Sequence, residues 1–204
     1  VKDKADFAKN ILPFLADLEE DEAGPDPLLA AKRLGISPQD MVVLSRNENP
    51  YGPSPAARAA LQDVPMHRYP DSRPFLEALS RYTGFFPPWL VTGAGMDEII
   101  STICRIFLGP GDRALIPVPT YNLYALATGL CGARLFYQPR TASFAVNPDI
   151  PDGVKMVFLC SPNNPTSNAL SEDNVQAVLD ETDAIVFLDE AYVEFAGKSL
   201  AGLV

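Results

Sequence analysis

Short apolar runs alternate with segments of helical periodicity from residue 89 onward. The apolar runs predict five strands, which are Trp89–Thr92, Arg113–Val118, Ala133–Tyr137, Val154–Cys160 and Ala184–Leu188. The periodic segments predict helices at Met96–Leu108, with Ile99, Ile103, Ile106 and Phe107 on its buried face, at Tyr121–Leu130, and from the cap Ser171 to about Asp180. Because apolar strands alternate with helices, the sequence predicts an α/β fold in which helices flank both faces of a largely parallel sheet.

The first part of the chain is less regular. A mixed helical segment is predicted from Asp6 to Leu18, and the acidic run Glu19–Glu22 that follows is interpreted as a solvated helix end. The segment Asn47–Pro55 is dense in turn residues and predicts a loop. Two further helices are predicted at Pro55–Gln62 and Ser72–Tyr82.

Charge and cysteine content narrow the classes of function. The 204 residues carry a net charge of −10, which argues against a surface for nucleic acid or anionic membranes because phosphates require Lys and Arg. The longest apolar runs are far too short to cross a bilayer. Cys104, Cys131 and Cys160 are scattered, which indicates a reducing, cytoplasmic compartment and no metal site. His67 is the only histidine, which argues against a His-based metal site and against a Ser-His-Asp triad.

The residues that follow the predicted strands carry the chemistry, because ligands of such sheets bind at the carboxyl ends of the strands. Thr92–Glu98 (TGAGMDE) places small residues at the start of a helix, where backbone N–H groups and the helix dipole favour a phosphate. A purely structural turn is the alternative. The segment makes a poor dinucleotide fingerprint, because its third glycine is missing.

Residues at three more predicted strand ends also favour a ligand site. Tyr121 is placed to stack on a flat heterocycle, with a core or rim tyrosine as the alternative. Ser161–Thr166 fixes two asparagines between prolines, and its alternative is a plain turn. Asp189 ends an apolar strand, where a carboxylate needs a partner such as a protonated ring nitrogen or an arginine. Together these segments predict an anion site, a flat ring, an amide donor and a carboxylate along one sheet edge.

Six segments carry a resemblance to a known family. They are LSRNENPYGPSP, HRYPD, GAGMDE, PVPTYNLY, CSPNNPT and FLDEAYVEF. The chain resembles the N-terminal part of the fold-type-I aminotransferases that use pyridoxal 5'-phosphate (PLP), in the histidinol-phosphate aminotransferase branch. The resemblance implies a cytoplasmic homodimer that converts histidinol phosphate and 2-oxoglutarate into imidazole-acetol phosphate and glutamate, in histidine biosynthesis. It implies an N-terminal segment (residues 1–50) that packs on a small domain or dimer partner, and an incomplete PLP-binding large domain (residues 51–204).

The resemblance also implies roles for single residues. Gly95, Met96 and Asp97 are expected to hold the cofactor phosphate, with Met96 contributing only its backbone because a small residue is common there. Tyr121 is expected to stack on the pyridine ring. Asp189 is expected to pair with the ring nitrogen and keep it protonated, so that the ring can accept electrons when the substrate loses a proton.

Four further positions follow from the same resemblance. Asn164 and Tyr192 are expected to hydrogen-bond the phenolic oxygen of the cofactor. Tyr69 is expected to reach the phosphate in the partner subunit, and Asn47 to line the substrate side. Ser167 stands where the family usually has glycine, a change that alters the loop but removes no ligand.

The lysine that attaches the cofactor in this family is expected beyond Val204. The chain begins at Val1 and ends inside an apolar stretch, so we expect it to be part of a longer protein. Lys198 is the only lysine after Asp189, and its turn Gly197-Lys198-Ser199 predicts an exposed side chain. Without the family's lysine there is no covalent attachment and no base for the proton shift, so the 204 residues alone should not turn over.

Other functions remain open at this point. An aromatic-amino-acid aminotransferase and a threonine-phosphate decarboxylase share the same architecture and differ mainly in substrate contacts outside this sequence. A nicotinamide-dependent oxidoreductase would need an acidic residue at the end of a second strand, and none is well placed. A lysine-less homologue that serves as a binding module is the alternative outside catalysis.

Overall fold

The structure is a computed structural model that describes residues 9–15 and 26–203. These residues form two units, one made of residues 9–15 with 92–203 and the other of residues 26–91. Within the described residues, no helix combines the length and the apolar character that crossing a membrane requires.

The unit of residues 26–91 contains three helices, α1 (Pro27–Leu34), α2 (Pro55–Gln62) and α3 (Arg73–Thr83). Two short 3-10 helices, Pro38–Asp40 and Pro87–Trp89, complete it. Local sequence explains where the helices begin, since all three carry proline in the first turn, where the missing N–H costs no hydrogen bond. Asp26 and Ser54 cap α1 and α2 by accepting hydrogen bonds from backbone N–H groups of the first turn.

The other unit is built on a sheet of four parallel strands in the order β2-β1-β3-β4. The strands are β1 (Arg113–Val118), β2 (Arg134–Pro139), β3 (Met156–Cys160) and β4 (Ile185–Asp189). The helices are α4 (Met96–Phe107), α5 (Leu123–Leu130), α6 (Glu172–Glu181) and the single turn α7 (Val193–Ala196). A 3-10 helix, Pro13–Leu15, also belongs to this unit.

Two hydrophobic clusters cover the two faces of the sheet. On one face, Ile116 and Phe158 of the strands pack with Ile100 and Cys104 of α4 and with α5. On the other face, alternate residues of the same strands pack with α6 and with Leu200. The strand residues are Leu115, Val157 and Leu159, and the helix contributes Val175 and Val178. Successive side chains of a strand point to opposite faces, so burial of both sets explains why β3 is apolar throughout and why every residue of β1 after the exposed Arg113 is apolar.

The α/β fold with a largely parallel sheet is confirmed, and β1 has its predicted bounds. The predicted strand Trp89–Thr92 is wrong, because this stretch follows two prolines and forms a 3-10 turn and an extended loop. The buried face predicted for α4 is also shifted. Ile100 is fully buried, whereas Ile106 is 64% exposed. The segment from Asp6 to Leu18 and the acidic run lie largely or wholly outside the described residues.

Candidate functional site

The four parallel strands end at one edge of the sheet, where Asp189 ends β4 and where Tyr121, Asn164 and Tyr192 lie in the segments that follow β1, β3 and β4. Gly95, Met96 and Asp97 lie instead at the start of α4, which precedes β1. Cys160, the last residue of β3, is the register partner of Asp189, the last residue of β4. The Ser161 N–H donates a 2.9 Å hydrogen bond to the Asp189 carbonyl oxygen. The loop after β3, with its two asparagines, therefore starts directly beside Asp189.

Asp189 carries a buried carboxylate whose partners are neutral. Its side chain is 2% exposed. Oδ2 accepts a 2.5 Å hydrogen bond from the Tyr124 hydroxyl, and Oδ1 accepts one of 2.9 Å from the Ala191 N–H. Among residues 9–15 and 26–203, no ion pair includes Asp189, so the alternative of an arginine partner is not realised there. A buried carboxylate without a cation fits a ligand that brings one, such as a protonated ring nitrogen.

Tyr124, which donates to Asp189, belongs to a cluster of aromatic rings. Its ring stacks on Phe158 with centroids 4.9 Å apart and meets Tyr121 edge-on at 5.8 Å. Burial, together with the nearby Cys160 and Asp189, raises the pKa of Tyr124, so its hydroxyl keeps its proton and remains a donor. The hydrogen bond to Asp189 is thus supported by packing on several sides of the tyrosine ring.

The two asparagines of the loop after β3 differ in their surroundings. Asn163 is 2% exposed and uses its whole amide. Its Oδ1 accepts from Thr120 Oγ1 at 2.7 Å and from Arg140 Nη2 at 2.8 Å. Its Nδ2 donates to the Pro119 carbonyl at 3.1 Å and to Thr166 Oγ1 at 2.7 Å.

Asn164, by contrast, is half-buried, and within the described residues its side-chain amide makes no hydrogen bond. The four hydrogen bonds of the Asn163 amide therefore hold the loop in its conformation. The neighbouring Asn164 is the amide available to a ligand.

Arg140 ties the loops after β1, β2 and β3 together. Its guanidinium is buried and donates to the carbonyl oxygens of Pro119 and Phe144 and to the side chain of Asn163. Burial lowers the pKa of Arg140, while Cys160 and Tyr124 oppose that effect. A guanidinium remains protonated in proteins, so this is a buried cation held by neutral oxygens.

The start of α4 has the features of an anion site. Gly95 precedes the helix with φ 85°, a conformation that glycine adopts without strain. The Ala94 N–H already donates to the Glu98 carboxylate. The backbone N–H groups left for an anion are those at the helix start, Gly95–Asp97, because the first turn has no intrahelical acceptors. The Tyr121 hydroxyl donates 3.0 Å to Asp97 Oδ1 and joins this turn to the loop after β1.

The remaining predicted residues are distributed over both units. Tyr192 is half-buried in the turn after β4, just before α7. Lys198 is exposed as predicted, and its ammonium lies 2.6 Å from the Glu172 carboxylate. Tyr69 and Asn47 belong to the unit of residues 26–91, where the Tyr69 side chain is fully exposed and Asn47 has a left-handed φ of 52°.

Sequence reasoning missed three residues of this edge, namely Tyr124, Arg140 and Asn163. In the helix predicted at Tyr121–Leu130, Tyr124 lies three positions after Tyr121, a spacing that brings two residues to one side of a helix. The sequence predicts that β2 ends at Tyr137, whereas the strand continues to Pro139. With the true strand end, Arg140 would have been the residue that follows the strand.

A known family matches most of this chain. The family model described as aminotransferase class I and II matches residues 39–203. The chain belongs to the class I and II aminotransferases.

Individual members of this aminotransferase family resemble the chain over most of its length. The histidinol-phosphate aminotransferase of Methanosarcina mazei is 41% identical over 198 residues, which cover 92% of this chain and 54% of that protein. The enzyme of the same name from Roseiflexus castenholzii is 43% identical over 189 residues, covering 85% and 50% of the two chains. The chain thus spans about half the length of these relatives.

A solved structure of the family shares the fold. The crystal structure of histidinol-phosphate aminotransferase from Sinorhizobium meliloti in complex with pyridoxal 5'-phosphate superimposes with a TM-score of 0.73 at 22% identity. The match covers 90% of this chain and 51% of that one. At this level of identity the likeness establishes the fold alone.

Proposed function

We propose that these residues belong to a PLP-dependent aminotransferase that acts on histidinol phosphate and passes its amino group to 2-oxoglutarate, in histidine biosynthesis. The observation that carries the proposal is Asp189, a buried carboxylate without a cationic partner among the described residues, at the sheet edge where ligands of this fold bind. The choice of substrate rests on relatives about 40% identical that bear this name.

Different residues at this edge of the sheet bind different parts of the cofactor. The backbone N–H groups of Gly95, Met96 and Asp97 receive the phosphate at the start of α4. Tyr121 covers one face of the ring, and Asp189 accepts a hydrogen bond from the protonated ring nitrogen. A ring held protonated supplies an electron sink for the proton loss at the substrate carbon.

The phenolic side of the cofactor is assigned to two donors. Asn164 offers the amide that has no partner of its own within the described residues, and Tyr192 offers a phenol in the neighbouring turn. Hydrogen bonds from both would stabilise the oxygen in its anionic form. Asn47 is assigned to the substrate side.

The proposal extends to the assembly and its compartment. We infer a homodimer in which Tyr69 of one subunit reaches the phosphate bound by the other, which suits a tyrosine whose side chain is fully exposed in a single chain. The segment of residues 1–50 is assigned to packing on a small domain or the partner. Free Cys104, Cys131 and Cys160 support a reducing, cytoplasmic location.

A lysine outside these 204 residues is required, because Lys198 is exposed and paired with Glu172. The test is the intact mass of the protein purified from its full gene, before and after borohydride reduction with PLP. A mass well above 22.1 kDa with one reduced PLP adduct supports the proposal. A mass near 22.1 kDa without an adduct would refute the enzyme and favour a lysine-less binding module.

Substrate assays distinguish the related activities. The proposal expects amino transfer from histidinol phosphate to exceed transfer from phenylalanine, with no release of carbon dioxide from threonine phosphate. A preference for phenylalanine would identify an aromatic-amino-acid aminotransferase. Carbon dioxide release would identify the decarboxylase.

A further inference from the structure

Arg140 is a buried cation without a carboxylate partner among the described residues. It is 9% exposed, and the ion pairs formed in the described part of the chain do not include it. Burying an unpaired charge costs free energy, and three hydrogen bonds to neutral oxygens offset only part of that cost. The guanidinium satisfies three oxygen acceptors that belong to three loops, and the geometry that it imposes on them is its distinctive contribution.

That geometry joins three separate loops. The backbone N–H of Arg140 donates 2.9 Å to the Val118 carbonyl, which extends the pairing of β2 with β1 by one residue. From this fixed point, Nε reaches Pro119 O at 3.2 Å, Nη1 reaches Phe144 O at 3.1 Å and Nη2 reaches Asn163 Oδ1 at 2.8 Å. A guanidinium presents its donors in a rigid planar fork, so the three acceptors are held in one arrangement.

The contact between Arg140 and Asn163 connects the arginine to the candidate site. Asn163 shares its loop with Asn164, and its amide is fixed from all sides by Thr120, Arg140, Pro119 and Thr166. Asn164 is the next residue and has an amide without a hydrogen bond in the described structure. Because the two residues share a peptide bond, the contacts of Asn163 restrain the backbone that carries the Asn164 side chain.

We propose that Arg140 is a positioning residue, which orients the Asn164 amide toward the phenolic oxygen of PLP by fixing Asn163. This inference rests on the proposed function. It assigns Arg140 no contact with cofactor or substrate.

The test compares variants of the full-length protein loaded with PLP. The readout is the pH at which the absorbance of the bound cofactor titrates. A hydrogen-bond donor at an anionic oxygen favours the deprotonated form, so losing that donor should move this pH upward by about one unit in Asn164→Ala. Arg140→Met should move it in the same direction, and the double variant should move it no further than the larger single change.

Two more variants and a stability measurement make the result decisive. Arg140→Lys keeps the charge but loses the fork, so its shift should lie between those of wild type and Arg140→Met. Arg134→Met removes an exposed arginine from the start of β2, the strand that directly precedes Arg140, and should leave the titration unchanged. Thermal unfolding identifies the folded variants, and if Arg140→Met does not fold, Arg140→Lys carries the comparison.

The outcomes separate the two proposals. A wild-type protein that takes up no PLP refutes the proposed function. A wild-type protein that binds PLP, with a lowered unfolding midpoint but an unmoved titration in both Arg140 variants, shows that Arg140 serves stability alone. Additive shifts in the double variant would show that Arg140 does not act through Asn164.

Discussion

The Tyr124 hydroxyl and the Asp189 carboxylate share a 2.5 Å hydrogen bond although they are 65 residues apart in the chain. The bond joins α5 to the end of β4, and both residues are almost completely buried. Replacing Tyr124 with Phe keeps the ring stacked on Phe158 but removes the donor of Oδ2. We expect the free energy of unfolding to fall by about 1–3 kcal/mol, the cost of leaving a buried acceptor unpaired.

Urea unfolding measures this loss. Tyr137→Phe is the matched control, because Tyr137 lies on β2 and is about half exposed. It should change the free energy of unfolding by less than about 0.5 kcal/mol. Equal effects of the two substitutions would show that the hydrogen bond to Asp189 contributes nothing to stability.

Asp189→Ala tests the role proposed for the carboxylate. Without a negative charge at the ring nitrogen, the proton loss at the substrate carbon should slow more than PLP binding weakens. We expect kcat for transamination to fall by about 10²-fold or more, with a smaller change in the Kd for PLP. Asp183→Ala, an exposed acidic residue just before β4, serves as the control. An unchanged kcat in Asp189→Ala would contradict the assignment.

Tyr69→Phe tests the proposed contact between subunits. Loss of the hydroxyl should weaken PLP binding in the dimer, because one hydrogen bond to the phosphate disappears. The measurement combines a PLP titration with sedimentation, which reports the oligomeric state. Tyr82→Phe, in the same unit, should leave PLP affinity unchanged. A stable monomer that binds PLP with full affinity would exclude the cross-subunit role.

Local patterns were enough to predict most elements of the sheet-containing unit. The six residues of β1 are bounded by Gly-Asp and Pro-Thr, so both ends are marked in the sequence. Ser171 caps α6 as predicted, accepting 3.1 Å from the Asn174 N–H. Ile106 is exposed, because the paired apolar residues along α4 are compatible with more than one buried face of the helix.

The sequence predicts only those candidate site residues that end a strand or lie just after one. Strand ends point to Tyr121, to the two asparagines of Ser161–Thr166 and to Asp189, because parallel strands bring these ends to one edge. Only the family resemblance distinguishes Asn164 from Asn163. The sequence offers no local sign that Tyr124 bonds to Asp189 or that Arg140 bonds to Asn163. Such pairs depend on tertiary packing, which periodicity does not encode.

Cys104 makes stability depend on pH in the alkaline range. Burial raises the pKa of its thiol from 9.0 to about 11, with Cys131 adding to the rise and Thr128 opposing it. The folded protein therefore keeps this proton between about pH 9 and 11, where the unfolded chain loses it. The resulting stability is complete below pH 9 and is lost as the pH rises toward 11, by on the order of 2–3 kcal/mol.

Urea unfolding at pH 7, 9 and 11 checks the expectation in wild type and Cys104→Ala. The variant starts from a lower stability because it loses buried volume. Its free energy of unfolding should then decline less steeply above pH 9. Tyr124 also destabilises the fold at high pH, since its pKa is raised, but it does so equally in both proteins. Parallel profiles would show that the thiol titrates normally in the folded state.

Ser167 occupies a backbone conformation that suits glycine. Its φ is 61°, and its N–H donates 2.7 Å to the Asn163 carbonyl, so the conformation is part of the loop that carries both asparagines. A left-handed conformation costs a non-glycine residue about 1–2 kcal/mol, and the greater freedom of glycine in the unfolded chain cancels part of the gain. We expect Ser167→Gly to raise the free energy of unfolding by up to about 1 kcal/mol. Ser101→Gly makes the same chemical change inside α4 and should lower it by roughly the same amount. If both substitutions destabilise the protein in urea unfolding, the strain assigned to Ser167 is absent.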